Sequence, residues 1–222
     1  ILLISLQINS QNYGHLTGNT QLNFQTFQED LTIGAEERNP YSSGYTNLLY
    51  SYKMFSVGAR AELYHNTIPG LYDYEGGGLA NKFIQFKNNI IDITLGNFYD
   101  EFGSGLIFRT YSDPNLGIDN SLNGLRVKTA YPKSGIYFTA LIGKQKSYWE
   151  YSKSLVRALN IDVSLNDFLL KNWESTINLG ASFVTKKETD NDPFYILPEN
   201  VGAFNGRVNI TKKNTSINLD YA

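Results

Sequence analysis

The run WESTINLGASF, residues 173–183, alternates apolar and polar side chains from Thr176 onward. Trp173, Ile177, Leu179, Ala181 and Phe183 fall on one side of an extended chain. Glu174, Thr176, Asn178, Gly180 and Ser182 fall on the other. A period of two marks a strand whose two faces meet different surroundings, whereas a helix would repeat every 3.6 residues. The same pattern recurs: Ile91, Ile93 and Leu95 oppose Asp92, Thr94 and Gly96. Leu159, Ile161, Val163 and Leu165 oppose Asn160, Asp162 and Ser164, and Ile217, Leu219 and Tyr221 oppose Ser216, Asn218 and Asp220.

Working outward, β-branched and aromatic runs punctuated by Asn, Asp, Gly and Pro predict an all-β chain. Eleven strands are expected at 19–27, 44–53, 55–65, 80–87, 90–98, 119–131, 135–145, 154–165, 172–185, 201–212 and 214–222. Tight turns are expected near Lys53-Met54, at 87–89 and 132–134, around Asn166-Asp167, and at 212–214. Longer links fill 28–43, 66–79, 99–118, 146–153 and 186–200. Short and long therefore alternate, as they do in outer-membrane barrels with short periplasmic turns and long extracellular loops. Greek-key sandwiches mix loop lengths and have no reason to alternate.

The polar faces decide between a one-sided soluble sheet and a lumen wall. They carry mainly Asn, Ser, Thr and Gly, and charged residues are only 18% of the chain, below the roughly 25% usual for soluble domains. Trp173, Phe183 and Tyr131 sit near the ends of apolar faces, as an interfacial girdle would place them. The expected fold is an antiparallel transmembrane β-barrel in outer-membrane lipid, with a periplasmic N-terminus. Eleven is an odd count and the chain stops within a strand at Asp220-Tyr221-Ala222, so residues 11–222 are read as a partial barrel with strands beyond. Residues 1–10, ILLISLQINS, read either as the tail of a secretory signal or as a first strand, with the signal tail favoured.

The remaining composition narrows function. A net charge of −2 gives no basic field for nucleic acid. No Cys is present, which excludes disulfides and thiolate chemistry, and His15 and His65 have no metal-ligand spacing. Neither a metal nor a cofactor is expected.

The stretches GNFYDEFGSGLIFR, residues 96–109, and LGIDNSLNGLRV, residues 116–127, resemble a segment of an uncharacterised outer-membrane β-barrel family of Bacteroidota. The resemblance centres on residues 96–127. It implies a Gram-negative outer membrane and a barrel, and carries no activity or site residue.

From the residues themselves, Asp100 and Glu101 are expected at the external rim. Gly103 and Gly105 provide backbone freedom, and Ile107 and Phe108 an anchor that a solvated loop would not need. Arg109, Asp113, Asp119 and Arg126 are expected to pair with inward groups, drawn from Arg60 and Glu62 of GARAEL, Asp92, Asp162, Glu174 and Arg207. Segment 97–127 is thus predicted to bend inward, as a pore constriction or a loop tied to the wall. Catalysis is not expected: adjacent Asp100 and Glu101 point oppositely on a strand, and Ser104 in GSG lacks the G-x-S-x-G elbow. YDYEGGGLA, residues 72–80, lacks the Lys and helix of a phosphate loop and reads as a flexible external loop. NDPFYILPEN, residues 191–200, puts Phe194, Tyr195, Ile196 and Leu197 into an external loop that would cap the barrel or dock a partner protein or lipoprotein. The function expected is a porin-like passive channel for small solutes. The alternative is a scaffold barrel of a larger outer-membrane assembly with a plugged lumen.

Overall fold

A computed structural model describes residues 2–10, 13–26, 28–32, 40–67, 72–113, 116–170, 173–188 and 198–222. The chain is all-β. Its strands are β1 (Leu2–Ser10), β2 (Gly14–Gln25), β3 (Tyr41–Tyr52), β4 (Phe55–His65), β5 (Gly76–Lys87), β6 (Ile91–Phe98), β7 (Ser112–Asp113), β8 (Ile118–Asp119), β9 (Leu122–Tyr131), β10 (Ile136–Ser147), β11 (Glu150–Tyr151), β12 (Leu155–Ser164), β13 (Ser175–Lys187), β14 (Asn200–Lys212) and β15 (Thr215–Tyr221). The long strands make one antiparallel sheet in the order β1-β2-β3-β4-β5-β6-β9-β10-β12-β13-β14-β15. Each lies beside its sequence neighbour, an up-and-down meander. Among the described residues, β1 is bonded on this path only to β2 and β15 only to β14.

Three expectations are corrected: the strand count, the loop at the glycine run and the turn at Asn166-Asp167. Leu2–Ser10 is a strand paired along its length with β2, from Leu2↔Leu22 to Ser10↔Gly14. The long strands therefore number twelve rather than eleven. Gly76, Gly77 and Gly78 open β5 instead of forming a loop, because a glycine run permits extended backbone as readily as a turn. The link around Asn166-Asp167 is not a tight turn: it contains the short helix α1 (Leu165–Phe168). There Asn166 accepts from Ile177 N–H at 2.8 Å and donates to Ser175 O at 2.8 Å. The apolar patch expected at residues 194–197 lies outside the described residues.

The tight connections have local causes. Lys53 and Lys213 adopt φ of 53° and 51° in the turns β3–β4 and β14–β15. Asn88 closes β5–β6 by accepting from Ile90 and Ile91 N–H at 2.8 Å each. Gly135, at φ 61°, ends the turn begun by Pro132.

The contacts divide the chain into two compact units, residues 1–84 with 113–118, and residues 85–112 with 119–222. In the first, the polar face of β2–β4 carries a ladder. Asn47 donates to Asn19 at 3.0 Å, Tyr45 hydroxyl to Gln21 at 2.8 Å, and Arg60 stacks over Tyr45 at 4.6 Å. The other face exposes Leu16, Leu48, Val57 and Leu63.

The second unit shows the same separation across seven strands. Register places Ala140, Leu159, Phe183 and Phe204 in one row, Val163, Leu179, Val208 and Leu219 in another, and Ile177, Ile210 and Ile217 in a third. These rows share the apolar face, and it is exposed: Leu159 is 49% accessible, Phe204 59% and Leu219 62%. The polar face instead buries Thr94, Thr139, Asn160, Ser182 and Asn205. A soluble domain has the opposite arrangement.

Candidate functional site

The connection after β6 carries the most chemistry in the second unit. Its first part, residues 99–111, is a hairpin bonded to itself: Thr110 N–H donates to Asp100 O at 2.9 Å, and Phe102 N–H to Phe108 O at 3.1 Å. Glycines make its tip, Gly103 at φ 59° and Gly105 at φ 81°. The hairpin lies on the polar side of the sheet because its rings find apolar ground there. Phe102 and Phe108, 4.9 Å apart, join Phe98, Leu122, Leu141, Val156 and Ala158 in one buried cluster, and Ile107 packs against it.

At the hairpin's base, two cations meet two carboxylates. Lys128 Nζ lies 2.8 Å from Asp100, whose side chain is 6% accessible. Arg126 stands 3.6 Å from Asp100 and 3.7 Å from Asp92, and donates to Thr94 hydroxyl at 3.0 Å and Tyr99 O at 3.1 Å. Asp92 also accepts from Gln85 at 2.8 Å. An arginine suits this place because its fork reaches several acceptors and stays charged.

At the tip lies a second cluster on β12–β15. Arg207 donates to Asp162 at 2.9 Å, Asn160 at 2.5 Å, Asn205 at 2.7 Å, and Ser182. Gly180 leaves the room for it: a Cβ there would stand 2.6 Å from the guanidinium. Ser104 donates to Asp220, and Asn205 donates to the same carboxylate. Gly103, Ser104, Asp162, Gly180, Arg207 and Asp220 line part of a cavity of about 310 Å³.

The other predicted residues are placed as follows. Asp119 is buried and pairs with Lys146 at 2.6 Å, with Tyr99 hydroxyl and Ser121 N–H also donating to it. Glu101 and Arg109 pair across the hairpin itself at 3.3 Å, in solvent, so Arg109 does not reach a wall carboxylate. Arg60 and Glu62 pair at 2.7 Å within the first unit. Asp113 accepts from Leu116 N–H in a local turn. Glu174 precedes β13, is 77% accessible, and lies 3.6 Å from Lys212, away from both clusters. Lys128 and Asn205 carry no expectation from the sequence, and Asn160, Ser182 and Asp220 figure there only as polar-face residues. Their signal was parity, each lying on the polar face of its strand.

A family model matches residues 1–222 and is described as a family of unknown function, DUF6029. The chain belongs to that family. No curated protein and no solved structure matches the chain.

Proposed function

We propose that this DUF6029 chain forms the wall of an outer-membrane β-barrel in a Gram-negative bacterium, acting as a porin-like passive channel narrowed by the inward-folded hairpin. The observation that carries the reading is the inverted pattern of the second unit, with large apolar side chains exposed on one face and polar side chains, among them the Arg126–Asp100 pair, buried on the other. Lipid is the medium that makes an exposed apolar face favourable. The length is adequate: the 13 residues of β13, at about 3.3 Å each, extend roughly 40 Å, or about 30 Å of height at a ~40° tilt. In lipid the free edges of β1 and β15 must meet partners, since unpaired backbone is too costly there. The alternation of connections and the resemblance around residues 96–127 point the same way.

With no reacting group required, selectivity comes from charge at the narrowest point. Asp92, Asp100, Arg126 and Lys128 at one end of the hairpin, and Asp162, Arg207 and Asp220 at the other, supply it. The phenylalanine cluster favours a second reading, a scaffold barrel whose lumen is plugged, because apolar packing leaves no wet path beneath the hairpin. Reconstitution of the full-length protein in a planar bilayer separates the two. Stepwise conductance supports the channel; a membrane-inserted but silent protein that co-purifies with a partner supports the scaffold. Recovery as a detergent-free soluble monomer defeats both.

A further inference from the structure

Three basic residues of the second unit stand where the apolar face ends. Arg157 on β12 pairs in register with Ile142 on β10 and Thr185 on β13. Lys144 lies two residues beyond Ile142, and Lys187 two beyond Thr185, so all three share the apolar face. Lys144 and Lys187 are diagonal neighbours of Arg157, about 7–8 Å away on either side. All three are exposed, and among the described residues none has an ion-pair partner within 4 Å. The nearest carboxylate along the chain, Glu188, is engaged by Lys186 at 2.6 Å. Lys146 follows Lys144 on this face but is buried against Asp119.

Directly next to the triad, the same face exposes Ile142, Leu159 and Phe183. The opposite end of the face differs. Tyr131 and Trp173 are exposed there, Lys212 lies 3.6 Å from Glu174, and Lys87, Lys133 and Lys213 sit in or beside the short turns. Among the described residues, Lys144, Arg157 and Lys187 therefore stand together without an ion pair on the part of this face nearest the long connections.

We propose that Lys144, Arg157 and Lys187 form a site for the phosphate groups of an anionic lipid in the leaflet at the long-connection end. The inference rests on the membrane reading above and adds the lipid class. Acyl chains would cover the apolar rows while the phosphate accepts hydrogen bonds from the guanidinium and the two ammonium groups. The adjoining apolar surface selects a lipid headgroup over free phosphate, because only an amphiphile satisfies both parts of the site. Flexible lysine stems let the ammonium groups reach the headgroup plane.

The test compares full-length protein with the triple variant Lys144→Gln, Arg157→Gln, Lys187→Gln. Flotation with phosphatidylcholine vesicles is measured first, then retention of diphosphorylated lipid A by the purified protein. Both proteins should float. Each basic residue near an anionic surface contributes about a fivefold gain, so the triple variant should lose roughly a hundredfold in lipid A retention with phosphatidylcholine unchanged. Arg157→Lys should keep most of the retention, which guards against misfolding of the triple variant. If both proteins float and retain lipid A within about threefold of each other, the headgroup site is wrong while the membrane reading stands. Competition by millimolar inorganic phosphate would make it a free-phosphate site and overturn the proposal. If neither protein floats, the membrane reading falls and takes the inference with it.

Discussion

Replacing Gly103 by alanine tests whether the hairpin tip is seated on Arg207. Gly103 holds φ at 59°, and a methyl group there would overlap Arg207 Cδ and stand 2.7 Å from Nε. A left-handed conformation costs an alanine about 1–2 kcal/mol. The overlap adds a second cost, because Arg207 cannot simply swing away: its guanidinium is bonded to Asp162, Asn160, Asn205 and Ser182. Losing one or two charge-assisted hydrogen bonds adds about 2–3 kcal/mol. The expected total is therefore about 3–5 kcal/mol. Gly105→Ala is the control. Its φ of 81° carries a similar backbone cost, but the new methyl would meet Glu101 at 3.0 Å and Arg109 at 3.2 Å. Those side chains are 42% and 57% accessible and free to move, so the control should lose only about 1–2 kcal/mol. Urea unfolding of the refolded protein in detergent reads both values, and in a conducting barrel Gly103→Ala should raise open-channel noise. Equal losses for the two variants, within about 0.5 kcal/mol, would refute the seating of the tip on Arg207.

Three further outcomes are expected. Leu179→Arg, on the exposed apolar face, should cost about 2–4 kcal/mol in a lipid refolding assay and Asn178→Arg on the polar face about 1 or less; similar costs would mean the faces are assigned wrongly. Lys146→Ala strands buried Asp119 with only Tyr99 and Ser121 and should cost about 3 kcal/mol in urea unfolding, most of it recovered by Lys146→Met with Asp119→Leu; a loss under about 1 kcal/mol would show the pair is not buried. Thr67, through its N–H and then its hydroxyl, holds the Glu75 carboxyl below its usual range, with Asn66 N–H and His65 adding to the effect. Because that carboxyl is depressed in the folded state, its contribution is complete above about pH 4.3 and is lost as pH falls through the lower folded value. The Thr67 amide resonance should titrate below that point and be flat in Glu75→Gln; a midpoint at or above the ordinary glutamate value counts against the contact.

Side-chain parity was the most legible feature of the sequence. The alternation in residues 173–183 puts Asn178 and Leu179 on opposite faces, and the register pairs them with Asn209 and Val208. The anchoring of the hairpin on the sheet was readable from Ile107 and Phe108, but Phe102 was not, since its burial comes from Leu141, Val156 and Ala158 on strands far along the chain. Arg109 shows a different limit. Its charge suggested a wall carboxylate, but the return bend at Gly103 and Gly105 brings Glu101 within reach first. Asn160, Ser182 and Asn205 looked like generic polar wall, and only cross-strand register reveals that they converge on Arg207. Gly76–Gly78 misled because glycine composition alone does not distinguish extended backbone from a bend.

The hairpin's two ends also set an order of events in folding. Its base bonds to β9, close by in the chain, but Ser104 at its tip waits for Asp220, 116 residues later. Bringing such distant residues together requires the intervening strands to pair first, since an open loop of that length loses more entropy on closing than one hydrogen bond returns. Tip docking is thus a late step that reports assembly as far as β15, and time-resolved proteolysis during refolding should see protection near Gly103 arrive after protection of β9 and β10.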